Sequence, residues 1–253
     1  GEGGADTITG TANADIIIGG SGNDTLNGGD GDDTFLVGLG SDEDVFNGDA
    51  GTDRVLATDE NVEISLRGNF SAANGIEEIS ADGHAGVSIH GNWQNNTLDF
   101  STTTLTGITA IDGEGGNDVI TGTSGDDTII GGTGNDTLRG GAGDDTFTWS
   151  TGDGSDSVDG GSETGADTVV MTNTTATPTT FTVGTVTGGA EIVPATGSDG
   201  TDIQVSVSSG GSVRMDEIED IVLNLGSGGD TVNMTTPLGG TALNTSTITV
   251  NGG

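Results

Sequence analysis

A nine-residue period dominates this chain. Residues 19–27 read GGSGNDTLN and 28–36 read GGDGDDTFL, while 131–139 read GGTGNDTLR and 140–148 read GGAGDDTFT. All four fit G-G-x-G-x-D-x-U-x, with U a large apolar residue. Looser copies keep the same frame at 1–9 (GEGGADTIT), 10–18 (GTANADIII), 113–121 (GEGGNDVIT) and 122–130 (GTSGDDTII). After short insertions the frame resumes at 39–47, 48–56, 151–159 and, stretched, at 160–170. A fixed period of this kind points to small units that bury their apolar faces only by stacking on one another. A disordered Gly/Asp linker would have no reason to place an apolar residue at every ninth position.

Each repeat divides into a six-residue turn and a three-residue strand. Gly at positions 1, 2 and 4 permits positive φ and lets carbonyl oxygens converge; in the four strict copies positions 2 and 4 are Gly20, Gly22, Gly29, Gly31, Gly132, Gly134, Gly141 and Gly143. Asp at position 6 adds a carboxylate. Oxygen-only ligands of flexible geometry suit Ca²⁺ rather than zinc or copper. Position 8 (Ile8, Ile17, Leu26, Phe35; Ile120, Ile129, Leu138, Phe147) sends one apolar side chain inward, and the flanking Thr residues favour extended backbone. Position 2 departs from Gly at Glu2, Thr11, Glu114 and Thr123, and Asn13 replaces the Gly of position 4. Sites that use those turns are expected to be weaker or to take a different ligand set.

The motif resembles the RTX calcium-binding β-roll family. That resemblance implies an all-β fold, a parallel β-roll or β-helix solenoid in which two nonapeptides make one turn and ions lie between turns. It implies bridging by Asp residues 18 positions apart: Asp6 with Asp24, Asp15 with Asp33, Asp118 with Asp136, Asp127 with Asp145. The irregular repeats extend the series to Asp24–Asp44, Asp33–Asp53, Asp136–Asp156 and Asp145–Asp167. By this arithmetic on the order of eight Ca²⁺ ions are expected.

Charge explains why an ion is needed. The chain of 253 residues carries 40 Asp+Glu against 4 Lys+Arg, a formal net charge of −36, with 30% hydrophobic and 3% aromatic residues. The cations are all Arg (Arg54, Arg67, Arg139, Arg214). So little apolar burial cannot hold such a charge compact without a bound cation. The same surface repels phosphate, so no nucleic-acid partner is expected, and no apolar run approaches the ~18 residues of a membrane-spanning segment. There is no Cys, hence no disulfide.

The chain reads as a duplicated unit with four segments: an RTX block at 1–56, a calcium-poor β segment at 57–112, a second RTX block at 113–170, and a calcium-poor segment at 171–253. The first calcium-poor stretch (Val62–Leu66, Ile76–Ile79, Val87–Ile89, Leu98–Phe100, Leu105–Ile111) suggests further coils in preference to a small sandwich. In the last segment TDIQVSV and SVRM, joined by Ser208–Gly211, suggest an inserted hairpin, after which Ile218-Glu219-Asp220-Ile221 matches Ile76-Glu77-Glu78-Ile79. The chain opens inside a motif without an initiator Met, and its closing TSTITVNGG resembles TGITAIDGEGG, which precedes the second block. This suggests copies that continue end to end, in a longer repeat chain or by head-to-tail self-association into a fibre or lattice.

Catalysis has little to work with. His84 and His90 could share a strand face or clasp a metal, but read more simply as exposed, incidental histidines. There is no H-E-x-x-H and no G-x-S-x-G, and no enzyme activity is expected. The resemblance implies a secreted protein, extracellular or at the cell surface, which stays extended in calcium-poor cytoplasm, passes a type I secretion channel and folds in millimolar Ca²⁺. The expected role is structural: a piece of a surface layer, extracellular fibre or large adhesin. The alternative is an accessory calcium-folding domain of a secreted toxin or enzyme.

Overall fold

The structure is a computed structural model and describes residues 1–40, 42–161, 166–187, 201–216, 218–227, 229–234 and 247–252. Residues 162–165 of the stretched repeat lie outside the described residues. The chain divides into two compact units, Gly1–Gly115 and Gly116–Gly253.

In the first unit the repeat period becomes strand register. Thr7–Thr9, Thr25–Asp30 and Val45–Ala50 form one parallel ribbon, with Ile8 opposite Leu26 and Leu26 opposite Phe46. The intervening strands Ile16–Ile17, Thr34–Val37 and Arg54–Ala57 form a second, with Ile17, Phe35 and Val55 in line. Position 8 therefore stacks on itself turn after turn. Leu26, Phe35, Phe46 and Val55 are buried, and the Phe35 and Phe46 rings meet edge to face at 5.7 Å. Burial of such stacked side chains is what the repeats contribute to stability without any ion.

The stretch 57–112 continues the same architecture as coils. Glu78–Ser80 pairs with Arg54–Ala57 and Thr104–Thr106 with Glu78–Ser80, all parallel. Glu63–Ser65, Ser88–Asn92 and Ile111–Glu114 form a third parallel ribbon. Phe70 and Phe100 stack at 5.0 Å inside these coils.

The second unit repeats the scheme. Val119–Thr121, Thr137–Arg139 and Ser155–Asp159 form one parallel ribbon and Thr128–Ile130, Thr146–Ser150, Thr168–Thr172, Asp220–Asn224 and Thr247–Asn251 another. The expected hairpin is there: Thr201–Val207 runs antiparallel to Ser212–Asp216, with Ser206 opposite Ser212. It is larger than the sequence suggests. Thr180–Thr187 adds a third antiparallel strand, and Ser212–Asp216 pairs parallel with Ser155–Asp159, so the insertion grows out of a roll ribbon. Among the described residues the one helical element is the 3-10 turn Ala72–Asn74, and no helix is long and apolar enough to cross a membrane.

Candidate metal centre

The strand register brings the position-6 aspartates into ladders along the turns. Each Oδ1 accepts the backbone N–H of the aspartate one turn earlier. In the first unit Asp24 accepts from Asp6 at 2.7 Å, Asp44 from Asp24 at 2.8 Å, Asp33 from Asp15 at 2.8 Å and Asp53 from Asp33 at 2.7 Å. In the second, Asp136 accepts from Asp118, Asp145 from Asp127 and Asp167 from Asp145 at 2.8 Å, and Asp156 from Asp136 at 2.9 Å. All eight aspartate pairs that the resemblance implies are thus in contact, including those stretched to 20 and 22 residues.

Two rungs escaped the sequence reading. Glu77 accepts the N–H of Asp53 at 2.7 Å and Glu219 that of Asp167 at 2.9 Å, so a glutamate takes the place of the next aspartate. The match between Ile76–Ile79 and Ile218–Ile221 was the signal that could have found them. Arg67 was also missed: its guanidinium donates to the carbonyls of Asn23 and Asp24 and to Thr25 Oγ1, beside Asp44. Position 5 carries a second, exposed ladder, in which Asp32 accepts from Thr52, Asn117 from Asn135 and Asp126 from Asp144.

The ladders leave oxygen unsatisfied. Asp24, Asp33, Asp53, Asp136 and Asp145 are at most 2% exposed, and the Oδ2 of each is buried without a hydrogen-bond partner. A lone buried carboxylate oxygen is costly unless a donor or cation meets it. Burial accordingly pushes Asp44, Asp136 and Asp167 up to about 6, and Asp145 and Asp156 up to about 7. Neighbouring carboxylates add to the rise; the backbone N–H each group accepts opposes it.

The glycines frame this oxygen in two ways. Those at positions 2 and 4 (Gly20, Gly22, Gly29, Gly31, Gly132, Gly134, Gly141, Gly143) all adopt positive φ, for example 99° at Gly20 and 108° at Gly22. Position 1 is different: Gly19, Gly28, Gly131 and Gly140 do not have positive φ, against the expectation for all three positions. They are glycine for space. A Cβ on any of them would run into Oδ2 of the aspartate in its own repeat, and on Gly140 it would also meet the Gly160 carbonyl oxygen at 2.8 Å. The oxygens that crowd these positions are carboxylate oxygens, joined at Gly28 and Gly140 by a carbonyl oxygen of the next turn, donors that suit a hard cation.

Where position 2 is Thr, the cradle is already filled. Asp15 Oδ2 accepts from the Thr11 N–H at 2.5 Å and the Thr11 hydroxyl at 2.9 Å. Asp127 Oδ2 accepts from the Thr123 N–H at 2.6 Å and its hydroxyl at 3.0 Å. In the second repeat of each block a threonine supplies what an ion would supply elsewhere.

A comparison with protein-family models matches the RTX calcium-binding nonapeptide repeat in four copies, over residues 1–35 and 111–147. These are RTX repeats. RTX repeats bind Ca²⁺ and occur in type I secreted proteins, and the matched segments carry the ladders from Asp6 to Asp33 and from Asp118 to Asp145. A search of curated proteins found no match. The orphaned oxygens and glycine-lined cradles fit the ion. When bound, Ca²⁺ would supply positive charge to these carboxylate oxygens.

Proposed function

We propose that this chain is an extracellular structural protein, a segment or subunit of a surface layer, fibre or large adhesin, with no catalysis of its own. Folding and assembly are driven by Ca²⁺. The observation that carries the reading is the set of buried, unpartnered Oδ2 atoms in both units. Without a cation they set burial against charge in every turn; with one, they become ligands, so binding energy is folding energy. In calcium-poor surroundings a net charge of −36 keeps the chain extended, which suits export before folding. Extracellular calcium modules bind at ~10⁻⁴–10⁻³ M, so millimolar Ca²⁺ outside the cell would complete the fold.

Self-association is supported by apolar strand edges. Ile16–Ile17 is the outermost strand of its ribbon, and Ile16 and Ile18 are 73% and 53% exposed. Leu39 lies 68% exposed on the same unit. Unpaired edges with exposed apolar side chains template pairing with another chain. Sedimentation velocity on chelator-stripped protein, before and after millimolar Ca²⁺, tests both parts. Slow sedimentation followed by large, chelator-reversible species is expected. A compact monomer would confirm the folding switch and leave a segment of a longer repeat chain or an accessory domain of a secreted toxin or enzyme, and an unchanged profile would sink the calcium argument itself.

A further inference from the structure

A second cluster of ligating atoms lies away from the aspartate ladders, on the third ribbon of the first unit. His90, Asp112 and Glu114 each bring one ligating atom within 4.8 Å of the others. The strand register puts them there: His90 stands opposite Asp112, and Glu114 opposite Asn92, on the parallel strands Ser88–Asn92 and Ile111–Glu114. His90 Nδ1 faces Glu114 Oε1 at 2.8 Å, and its other nitrogen, Nε2, lies 2.8 Å from Ser88 Oγ. Asp112 Oδ1 accepts the Glu114 N–H at 2.8 Å, which fixes that carboxylate beside the pair.

Two further observations set these three side chains apart from ordinary exposed polar groups. Glu114 occupies repeat position 2 with φ 70°, a left-handed conformation that residues other than glycine rarely adopt. A glycine would have been unstrained there, and is what the strict repeats use; the glutamate puts a carboxylate on the histidine. The charge is also unbalanced: Asp112 feels Glu114 and Glu63 as like charges, with His90 as the opposing group.

We propose that His90, Asp112 and Glu114 form a binding site for a borderline divalent transition metal of the Zn²⁺ class, separate from the Ca²⁺ cradles. An imidazole nitrogen with two carboxylates suits Zn²⁺, whereas Ca²⁺ takes oxygen ligands. The ion takes the place of the proton between His90 and Glu114. The imidazole then carries its proton on Nε2, where Ser88 Oγ accepts it, the usual way a neighbour orients a ligating histidine. Three protein ligands leave a fourth position for water. The expectation that both histidines are exposed fails, since both are half-buried, and His90 is held on both ring nitrogens.

The test uses the full chain in saturating millimolar Ca²⁺, so that the ladders are occupied, and titrates Zn²⁺ by calorimetry and Co²⁺ by its visible absorption. One equivalent of tight binding that persists in Ca²⁺ is expected. His90→Ala should weaken it at least about tenfold and Ser88→Ala about 10- to 100-fold, with His84→Ala unchanged. Imidazole NMR of the wild-type chain should show one histidine shifting on Zn²⁺ addition, which keeps the test valid if His90→Ala fails to fold. Binding abolished by Ca²⁺, binding indifferent to His90→Ala, or silent imidazole resonances would overturn the proposal, while leaving the calcium reading untouched.

Discussion

Asp145 offers the sharpest test of the ladders, because its replacement by asparagine should act with opposite sign in the absence and presence of Ca²⁺. The side chain is fully buried; Oδ1 accepts the Asp127 N–H and Oδ2 has no partner. Burial, with the nearby charges of Asp167, Asp127 and Asp126, lifts it from 3.8 to about 7 against the pull of that N–H. A rise of roughly three units at about 1.4 kcal/mol each makes the ionised group cost the calcium-free fold at most about 4 kcal/mol at neutral pH. Domains are typically stable by only about 5–15 kcal/mol. Asp145→Asn keeps the Oδ1 acceptor and the shape but removes the charge. The calcium-free fold should gain up to that amount, while the calcium-loaded fold should lose a carboxylate that would hold the ion. Urea unfolding followed by circular dichroism at pH 7.5, in chelator and in millimolar Ca²⁺, with sucrose added to favour the folded form, reads both differences. A change of the same sign in both conditions would refute the argument and make Asp145 an ordinary structural cap.

Further outcomes follow from the same geometry. Asp44, Asp136, Asp145, Asp156 and Asp167 all hold protons more tightly folded than unfolded. Their contribution to the calcium-free fold is therefore complete below about pH 4 and lost as pH rises through about 6 to 7, so chelated protein should gain β structure by circular dichroism on acidification from pH 7.5 to 5. Thr123→Val removes the hydroxyl bond to Asp127 Oδ2 and should cost about 1–3 kcal/mol in urea melts without lowering the Ca²⁺ equivalents counted by calorimetry; fewer equivalents would mean that this turn holds an ion. Glu77→Ala leaves the Asp53 N–H without its acceptor, and should raise the Ca²⁺ concentration at the folding midpoint. Phe35→Ala opens a hole beneath Phe46 and should cost about 3–5 kcal/mol even in saturating Ca²⁺; a loss under 1 kcal/mol would show that ions, not the apolar stack, hold the turns.

The nine-residue period determined most of what this protein is. Strand positions and the inward residue of each repeat follow from the spacing, and the aspartate pairs 18 apart from the resemblance to RTX repeats; the structure holds one stacking register, because a slip would break every apolar and carboxylate contact together. The hairpin at Ser208–Gly211 was legible for the same reason: a turn sequence between two short apolar strands. What the sequence left open depends on contacts of irregular separation. Glu77 and Glu219 join the ladders across 24 and 52 residues, distances that no repeat encodes. Thr11 and Thr123 looked like defects in the motif until the fold placed their hydroxyls on Asp15 and Asp127. Position 1 looked like position 2 until side-chain packing showed that one glycine makes room and the other turns the chain. His90, Asp112 and Glu114 meet only because neighbouring coils set them side by side, and local periodicity carries no information about which outward-facing residues two coils will share.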